Sequence, residues 1–491
     1  MKRREFVKNA GLGVGAVITG GSVLSFISSC NKGGMMDMMT SYVNVTEGSF
    51  NRLLAIPSVV GANTTLAPQS TLASIDGTQR SVLGYQANAI LGPTIKLNKG
   101  DSANILLRNN LSEPNNIHWH GLMIPSNMDG YPTDLVTAGG TFNYQFAVNQ
   151  RAGLYWYHPH TDMLTGSQAY RGLAGLFIVN DAEEAALNLP SGAYEIPLVI
   201  QDKRPSGSSL NYNPTSMEVM SGFMGESIVV NGVASPYTDV ASRYYRLRIL
   251  NGSNARIYNL AFSNNQPFTI IGSDGGLLKN PQSVSNILLS PGERIDVLVN
   301  FAGISTGTDV YLLSKAFSNA GNAQGKQEFK IMKFRITQNS TDSFSIPSNL
   351  SVVSTLSTAS QTKNFVLTEM QMSMGGSMTS MHRINDKVFD TARIDETIAA
   401  NSTEIWVFEN KGNEPHPVHL HAAQFQVLSR SGGENRGIIA SERGWKDTVL
   451  LLPGEKVTLV VQFGSLTGKF VFHCHNLEHE DDGMMLQYMI S

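Results

Sequence analysis

Ten of the eleven histidines fall into four short groups: His118 and His120; His158 and His160; His416, His419 and His421; His473, His475 and His479. Only His382 stands apart. A single buried histidine is ordinarily a hydrogen-bonded core residue, but ten gathered into four motifs do not fit that reading. On a strand, residues i and i+2 project from one face, so each His-x-His delivers two imidazoles side by side. The pairs 118/120, 158/160, 419/421 and 473/475 offer eight imidazoles with no carboxylate inside any pair. Copper suits that donor set, and eight donors are too many for one mononuclear site. Zinc fits less well, because structural zinc closes at four ligands and favours cysteine pairs, which are absent.

The last group is the most specific: His473-Cys474-His475, then His479 and Met484. Cys474 lies between two histidines, so its thiolate points to the opposite face from them. There it can join His479, Met484 and the leftover His416. That is a His₂Cys set with a weak axial thioether, the donors of a blue-copper electron-transfer centre. An electron accepted there can pass through Cys474 and either neighbour into the histidine cluster. A buried inert thiol is the plain alternative, and the flanking histidines argue against it.

These motifs sit on a repeated frame. Gly153–His160 and Gly468–His475 share a glycine, two aromatics two apart, then His-x-His. An alternating strand precedes each, Phe142–Val148 and Val457–Phe463. Ile105–Asn109 leads into His118, and Ile405–Asn410 leads into His416. The middle of the chain repeats the frame without histidines: Tyr245–Asn251 matches the first strand, and Leu289–Glu293 matches Leu452–Glu455. Short alternating strands punctuated by Gly, Asn and Pro predict an all-β chain of antiparallel Greek-key sandwiches. Three units are expected at 45–185, 190–345 and 360–491, with linkers at 181–190 and 341–362. Copper chemistry belongs to the outer two.

At these four motifs the chain resembles the multicopper oxidases: laccases, bilirubin oxidases and, nearest, the bacterial cuprous oxidases of copper efflux. The resemblance spans nearly everything beyond the leader, with the motifs in family order and spacing. It implies three cupredoxin-like domains and four copper ions, with a trinuclear cluster between the first and third domains. Carried over by motif, His118 and His419 would bind the type 2 copper. His120, His158 and His475 would hold one type 3 copper, and His160, His421 and His473 the other. His416, Cys474, His479 and Met484 would form the type 1 site. The implied reaction takes four single electrons from a reductant, Cu(I) or a phenol, and reduces O₂ to two waters, with a role in copper tolerance.

Two carboxylates match as well. Asp129 lies eleven residues after His118, where the family has an Asp tied to the type 2 side. Glu480 follows His479, where the copper-efflux enzymes place a proton-delivering Glu. Reduction of O₂ consumes protons that copper cannot provide, so such groups are needed. The plainer readings are a cap on the Asp129-Gly130 turn and, for Glu480, a solvated charge or a ligand's hydrogen-bond partner.

Met370, Met372, Met374, Met378 and Met381 crowd together just before His382, where the copper-efflux enzymes insert a methionine-rich segment. Thioethers are soft ligands suited to Cu(I), so this segment is a candidate substrate-copper site. Met217, Met220 and Met224, and Met35, Met36, Met38 and Met39, form smaller groups. The competing reading is flexible core filling. One departure matters. The family's copper-efflux members carry an Asp and a Met four and two residues before the first His of the third motif; here Gly412 and Glu414 stand there. That weakens a dedicated cuprous site and leaves room for organic donors.

Composition excludes other classes. With 36 Lys+Arg against 39 Asp+Glu, the formal charge of −3 leaves no basic footprint for nucleic acid. The chain opens Met1-Lys2-Arg3-Arg4-Glu5-Phe6 and runs uncharged from Asn9 to Asn31, which resembles a twin-arginine export signal. A membrane anchor is the alternative, but the Gly- and Ser-rich span makes a poor bilayer helix. Ile27-Ser28-Ser29-Cys30 resembles a lipobox, so residues 1–30 are expected to direct the protein to the periplasm or cell envelope, with a lipidated Cys30 as the expected membrane attachment. A copper nitrite reductase would need the blue site without eight paired imidazoles. A non-enzymatic copper carrier would need the blue site and methionines without the cluster.

Overall fold

The expected period-two alternation is realised in the half-buried strands, while strands such as Gly153–His158 and His416–Leu420 are buried on both faces. Thr403–Asn410 buries every second residue, Glu404, Trp406, Phe408 and Asn410. Among the described residues such strands assemble into seven sheets. The computed structural model describes residues 42–356, 359, 361–369 and 381–491. The leader with Cys30, methionines 35, 36, 38 and 39, and Met370, Met372, Met374 and Met378 lie outside the described residues.

The first histidine-bearing sheet runs Val59–Val60, Thr94–Asn98, Gly175–Asn180, Gly153–His158, His118–His120. It faces a core built on Leu66, Ile105, Trp119 and Phe177. The middle of the chain folds as seven- and six-stranded sheets around Leu247, Val297 and Phe334. The last part forms two five-stranded sheets around Trp406, Phe408, Leu459 and Phe472. A further cluster, including Trp156, Leu176, Val199 and Leu250, joins the first and middle parts. The sandwiches pack as one compact unit. Helices are few and short: the longest among the described residues is Thr165–Arg171. Among the described residues no helix is long and apolar enough to cross a membrane.

Both expected linkers carry more structure than their composition suggested. Asp181 caps the helix Ala182–Ala185, accepting from the Glu184 N–H. Glu184 in turn pairs with buried Arg246 and Arg248. In the 341–362 stretch, Leu350 is buried in the middle core and Phe344 and Ile346 pack against it. Isolated apolar residues at irregular spacing suffice where the chain lies extended over an existing core, so no hydrophobic run was needed.

Strand register delivers the motifs. Gly153–His158 pairs antiparallel with His118–His120, setting His158 opposite His118 and Trp156 opposite His120. His416–Leu420 pairs with Gly468–Cys474, setting His419 opposite His473 and Val418 opposite Cys474. Only His118-x-His120 lies wholly on a strand; His160, His421 and His475 fall just past strand ends. Pro159, which has no N–H to give a ladder, accounts for one of these ends.

Candidate metal centre

One group of donors is mononuclear. Cys474 Sγ lies 3.4 Å from His416 Nδ1 and 3.5 Å from His479 Nδ1, and the two nitrogens are 3.2 Å apart. A triangle of that size puts a central ion about 2 Å from each corner, within metal–imidazole bonding range. Burial pushes the Cys474 thiol well above its ordinary range. A thiolate there therefore needs a cation beside it. Met484 is fully buried in the same core as Cys474, and its carbonyl accepts the Cys474 N–H at 3.0 Å.

The eight paired imidazoles converge on the other side of that strand. His118 Nε2 and His419 Nε2 are 3.3 Å apart. His473 Nε2 is 3.2 Å from both His160 Nε2 and His421 Nε2. Buried nitrogens without a hydrogen-bond partner complete the set: His120 Nδ1, His158 Nε2 and both nitrogens of His475. Burial, with neighbouring imidazoles adding to it, holds His158, His421 and His475 well below the ordinary histidine range. The neutral imidazole is thereby favoured, and all three rings are buried. Such a concentration of unpartnered acceptors is costly in an apoprotein and is what a metal cluster relieves. The donor set fits copper.

The two sequence-derived carboxylates both reach this cluster. Asp129 Oδ2 accepts from His421 Nδ1 at 2.7 Å, and its carbonyl accepts from His118 Nδ1 at 2.8 Å. Its turn is tight as well, since a Cβ on Gly130 (φ +77°) would stand 2.2 Å from the Ile117 carbonyl oxygen. Glu480, on the helix Leu477–Asp481, places Oε1 3.4 Å from His160 Nδ1 and Oε2 3.1 Å from His473 Nδ1. It is buried rather than a solvated surface charge.

Three stretches of the chain, residues 68–184, 213–332 and 357–491, match family models described as multicopper oxidase. The chain belongs to the multicopper oxidases. It is 38% identical over 417 residues to multicopper oxidase mco of Staphylococcus haemolyticus, covering 84% of each chain. It is 33% identical over 408 residues to a laccase of Bacillus subtilis, covering 75% of this chain and 78% of that one. The crystal structure of McoA multicopper oxidase from Aquifex aeolicus superposes with a TM-score of 0.81 at 36% identity, covering 90% and 99% of the two chains. This multicopper oxidase is thus an oxidoreductase on an all-β, cupredoxin-like architecture, a class with copper as cofactor and with O₂ and a reductant as substrates.

Several residues that the motifs did not single out close around the sites. Glu369 Oε1 stands 3.5 Å from His416 Nε2 and accepts backbone N–H groups from Asn413 and Glu414. Burial opposes its charge, but His416 and those N–H groups outweigh it and hold the carboxyl below its ordinary range. A Cβ on Gly412 would lie 2.4 Å from Glu369 Oε1. The space beside Gly412 is therefore filled by a carboxylate from the strand Thr362–Glu369. Glu414 is buried, and burial together with Glu369 pushes its carboxyl up to about 8.

On the opposite side, the carbonyl of Met220 accepts from His479 Nε2 at 2.9 Å. His382, alone in the sequence, stacks on His479 at 3.7 Å and 19°. Met381 is buried beside it, its N–H donating to Asp482 Oδ2 at 2.7 Å. Met224 packs with Ala255 and Ala323, as core filling requires. At the cluster, Trp156 stacks on His158 at 4.1 Å, and Asp447 Oδ1 lies 3.1 Å from His120 Nε2.

Proposed function

We propose that this multicopper oxidase holds four copper ions and couples one-electron oxidation of Cu(I), phenols or both to reduction of O₂ to two waters. His416, Cys474, His479 and Met484 hold the type 1 ion. His118 and His419 hold the type 2 ion; His120, His158 and His475, and His160, His421 and His473, hold the type 3 pair. When bound, copper provides the one-electron redox chemistry and the point at which O₂ is reduced. The observation that carries this reading is the position of Cys474. Its sulfur meets His416 and His479, while its bonded neighbours His473 and His475 face the cluster. Two backbone links thus join the mononuclear donors to the polynuclear ones.

The chain's own residues do the rest. Glu480 bridges the Nδ1 atoms of His160 and His473 and is the group that passes protons to the cluster. Asp129 fixes His421 and His118 so that their Nε2 atoms point inward. Met220 and His382 cover the outer edge of His479, leaving His416, through Glu369, as the side on which the reductant docks. A carboxylate at that position favours a metal ion as reductant, and the methionine-rich sequence 370–381 supports the same reading by composition; phenols are the second reading because Gly412 and Glu414 replace the ligands of the copper-efflux enzymes.

The leader supports export by the twin-arginine route to the periplasm or envelope, with lipidated Cys30 as membrane attachment and copper tolerance as the role. The cores support three domains near 45–185, 190–345 and 360–491. Steady-state O₂ consumption with Cu(I) and with a bulky phenol tests the reductant: Cu(I) turnover exceeding phenol turnover supports the first reading. Mass spectrometry of the mature N-terminus tests the leader, a lipid-modified Cys30 being the expected result.

A further inference from the structure

We propose that Arg294, which comes from the histidine-free middle of the chain, is a positioning residue for the cluster. Acting through Asp447, it sets which ring nitrogen His120 and His419 turn toward metal. This inference rests on the ligand assignment above.

His120 and His419 stack face to face, 3.7 Å apart and within 13° of parallel. Two parallel rings in contact would ordinarily be interchangeable donors. Their hydrogen bonds make them different. His120 offers Nε2 to Asp447 Oδ1 at 3.1 Å, which leaves Nδ1 as its lone pair. His419 offers the other nitrogen, Nδ1, to the Asp447 carbonyl at 2.9 Å, which leaves Nε2 facing His118. Thr448 Oγ1 sits 3.2 Å from both of these ring nitrogens and donates to Asp447 Oδ1 at 2.9 Å. One dipeptide therefore fixes opposite tautomers in stacked rings and directs their lone pairs to separate metal positions.

Asp447 is held in turn by Arg294. The guanidinium meets both carboxylate oxygens, Nη1 to Oδ1 at 2.7 Å and Nη2 to Oδ2 at 2.5 Å. Its remaining donors go to the carbonyls of Leu154, Gly292 and Asp274. All five N–H groups are used, and the side chain is fully buried. Nearby Gly292 (φ +83°) lines the same wall, where an added Cβ would lie 3.0 Å from the His475 ring and 3.1 Å from that of His120. The part of the chain without metal ligands thus forms one side of the cluster. A lysine at 294 keeps the charge but not the planar fork that locks the carboxylate.

The test compares copper-loaded wild type with Arg294→Lys, Asp447→Asn and Thr448→Val by chelator titration and electron paramagnetic resonance. Arg430→Lys serves as control, since it breaks a buried pair with Glu442 and Glu455 away from the cluster. We expect the chelator concentration that removes half the non-blue copper to fall about 10- to 100-fold in the three cluster variants. Their non-blue resonance should change while the blue absorption, which reports an intact third sandwich, stays. Arg430→Lys should retain its cluster copper and resonance. Thr448→Val is nearly isosteric and carries the test if Arg294→Lys does not fold. Wild-type copper retention with an unchanged resonance in the folded cluster variants, or equal copper loss in Arg430→Lys, would overturn the proposal. A wild type lacking non-blue copper altogether would overturn the ligand assignment itself.

Discussion

Glu369 occupies the space that a side chain at Gly412 would need: an added Cβ there would stand 2.4 Å from its Oε1. The same carboxylate reaches His416 Nε2 at 3.5 Å. The carboxylate beside His416 thus comes from the strand Thr362–Glu369 and not from the loop that leads into His416.

Gly412→Asp alone should therefore destabilise the fold by about 1–3 kcal/mol through overpacking and like-charge contact. Combined with Glu369→Gly it should regain most of that stability and restore a carboxylate at His416. Denaturant unfolding of the single and double variants checks the coupling. Simple additivity of the two changes would contradict the exchange.

Glu369→Gln keeps the shape and removes the charge. Cu(I) turnover should fall several-fold with the blue absorption kept and the type 1 potential moved upward, because a negative charge beside His416 is gone. Stopped-flow reduction and a redox titration read both quantities. Unchanged Cu(I) kinetics would place the reductant elsewhere.

Glu480→Gln should slow reoxidation by O₂ by about 100-fold or more, the lower end of what a positioned general acid contributes. Reduction of the blue site by the donor should be untouched, since Glu480 contacts His160 and His473 rather than His416 or Cys474. Single-turnover mixing of reduced protein with O₂ separates the two half-reactions. Wild-type reoxidation would remove Glu480 from the proton path.

Exchange of Met370, Met372, Met374, Met378 and Met381 for serine should raise the KM for Cu(I) about 10-fold or more while leaving phenol oxidation within about two-fold, since soft thioethers select Cu(I) and ignore phenols. Equal effects on both substrates would return the segment to a packing role.

The sequence reveals this site unevenly, and the reason is distance along the chain. The His-x-His pairs are legible because the two-residue spacing of a strand puts i and i+2 on one face, a local rule that identified them even though His160, His421 and His475 fall just past strand ends. Cys474 was legible for the same reason, with its sulfur on the face opposite its neighbours. Asp447 meets His120 across 327 positions and Arg294 across 153, and no local period encodes such contacts. The available signal was Lys446-Asp447-Thr448 at the head of the buried run Val449–Leu452, charge where none is needed for solubility. His382 looked isolated because its partner, His479, lies on another element. The 181–190 stretch read as linker because Glu184 finds Arg246 and Arg248 only in the folded chain.

The most direct test of the account is an electron and metal count on one copper-loaded preparation. Four copper ions per chain are predicted, one of them lost together with the blue absorption in Cys474→Ser. Four Cu(I) or phenol electrons should disappear per O₂, with no peroxide released. One copper per chain, or two electrons per O₂ with peroxide accumulating, would contradict it.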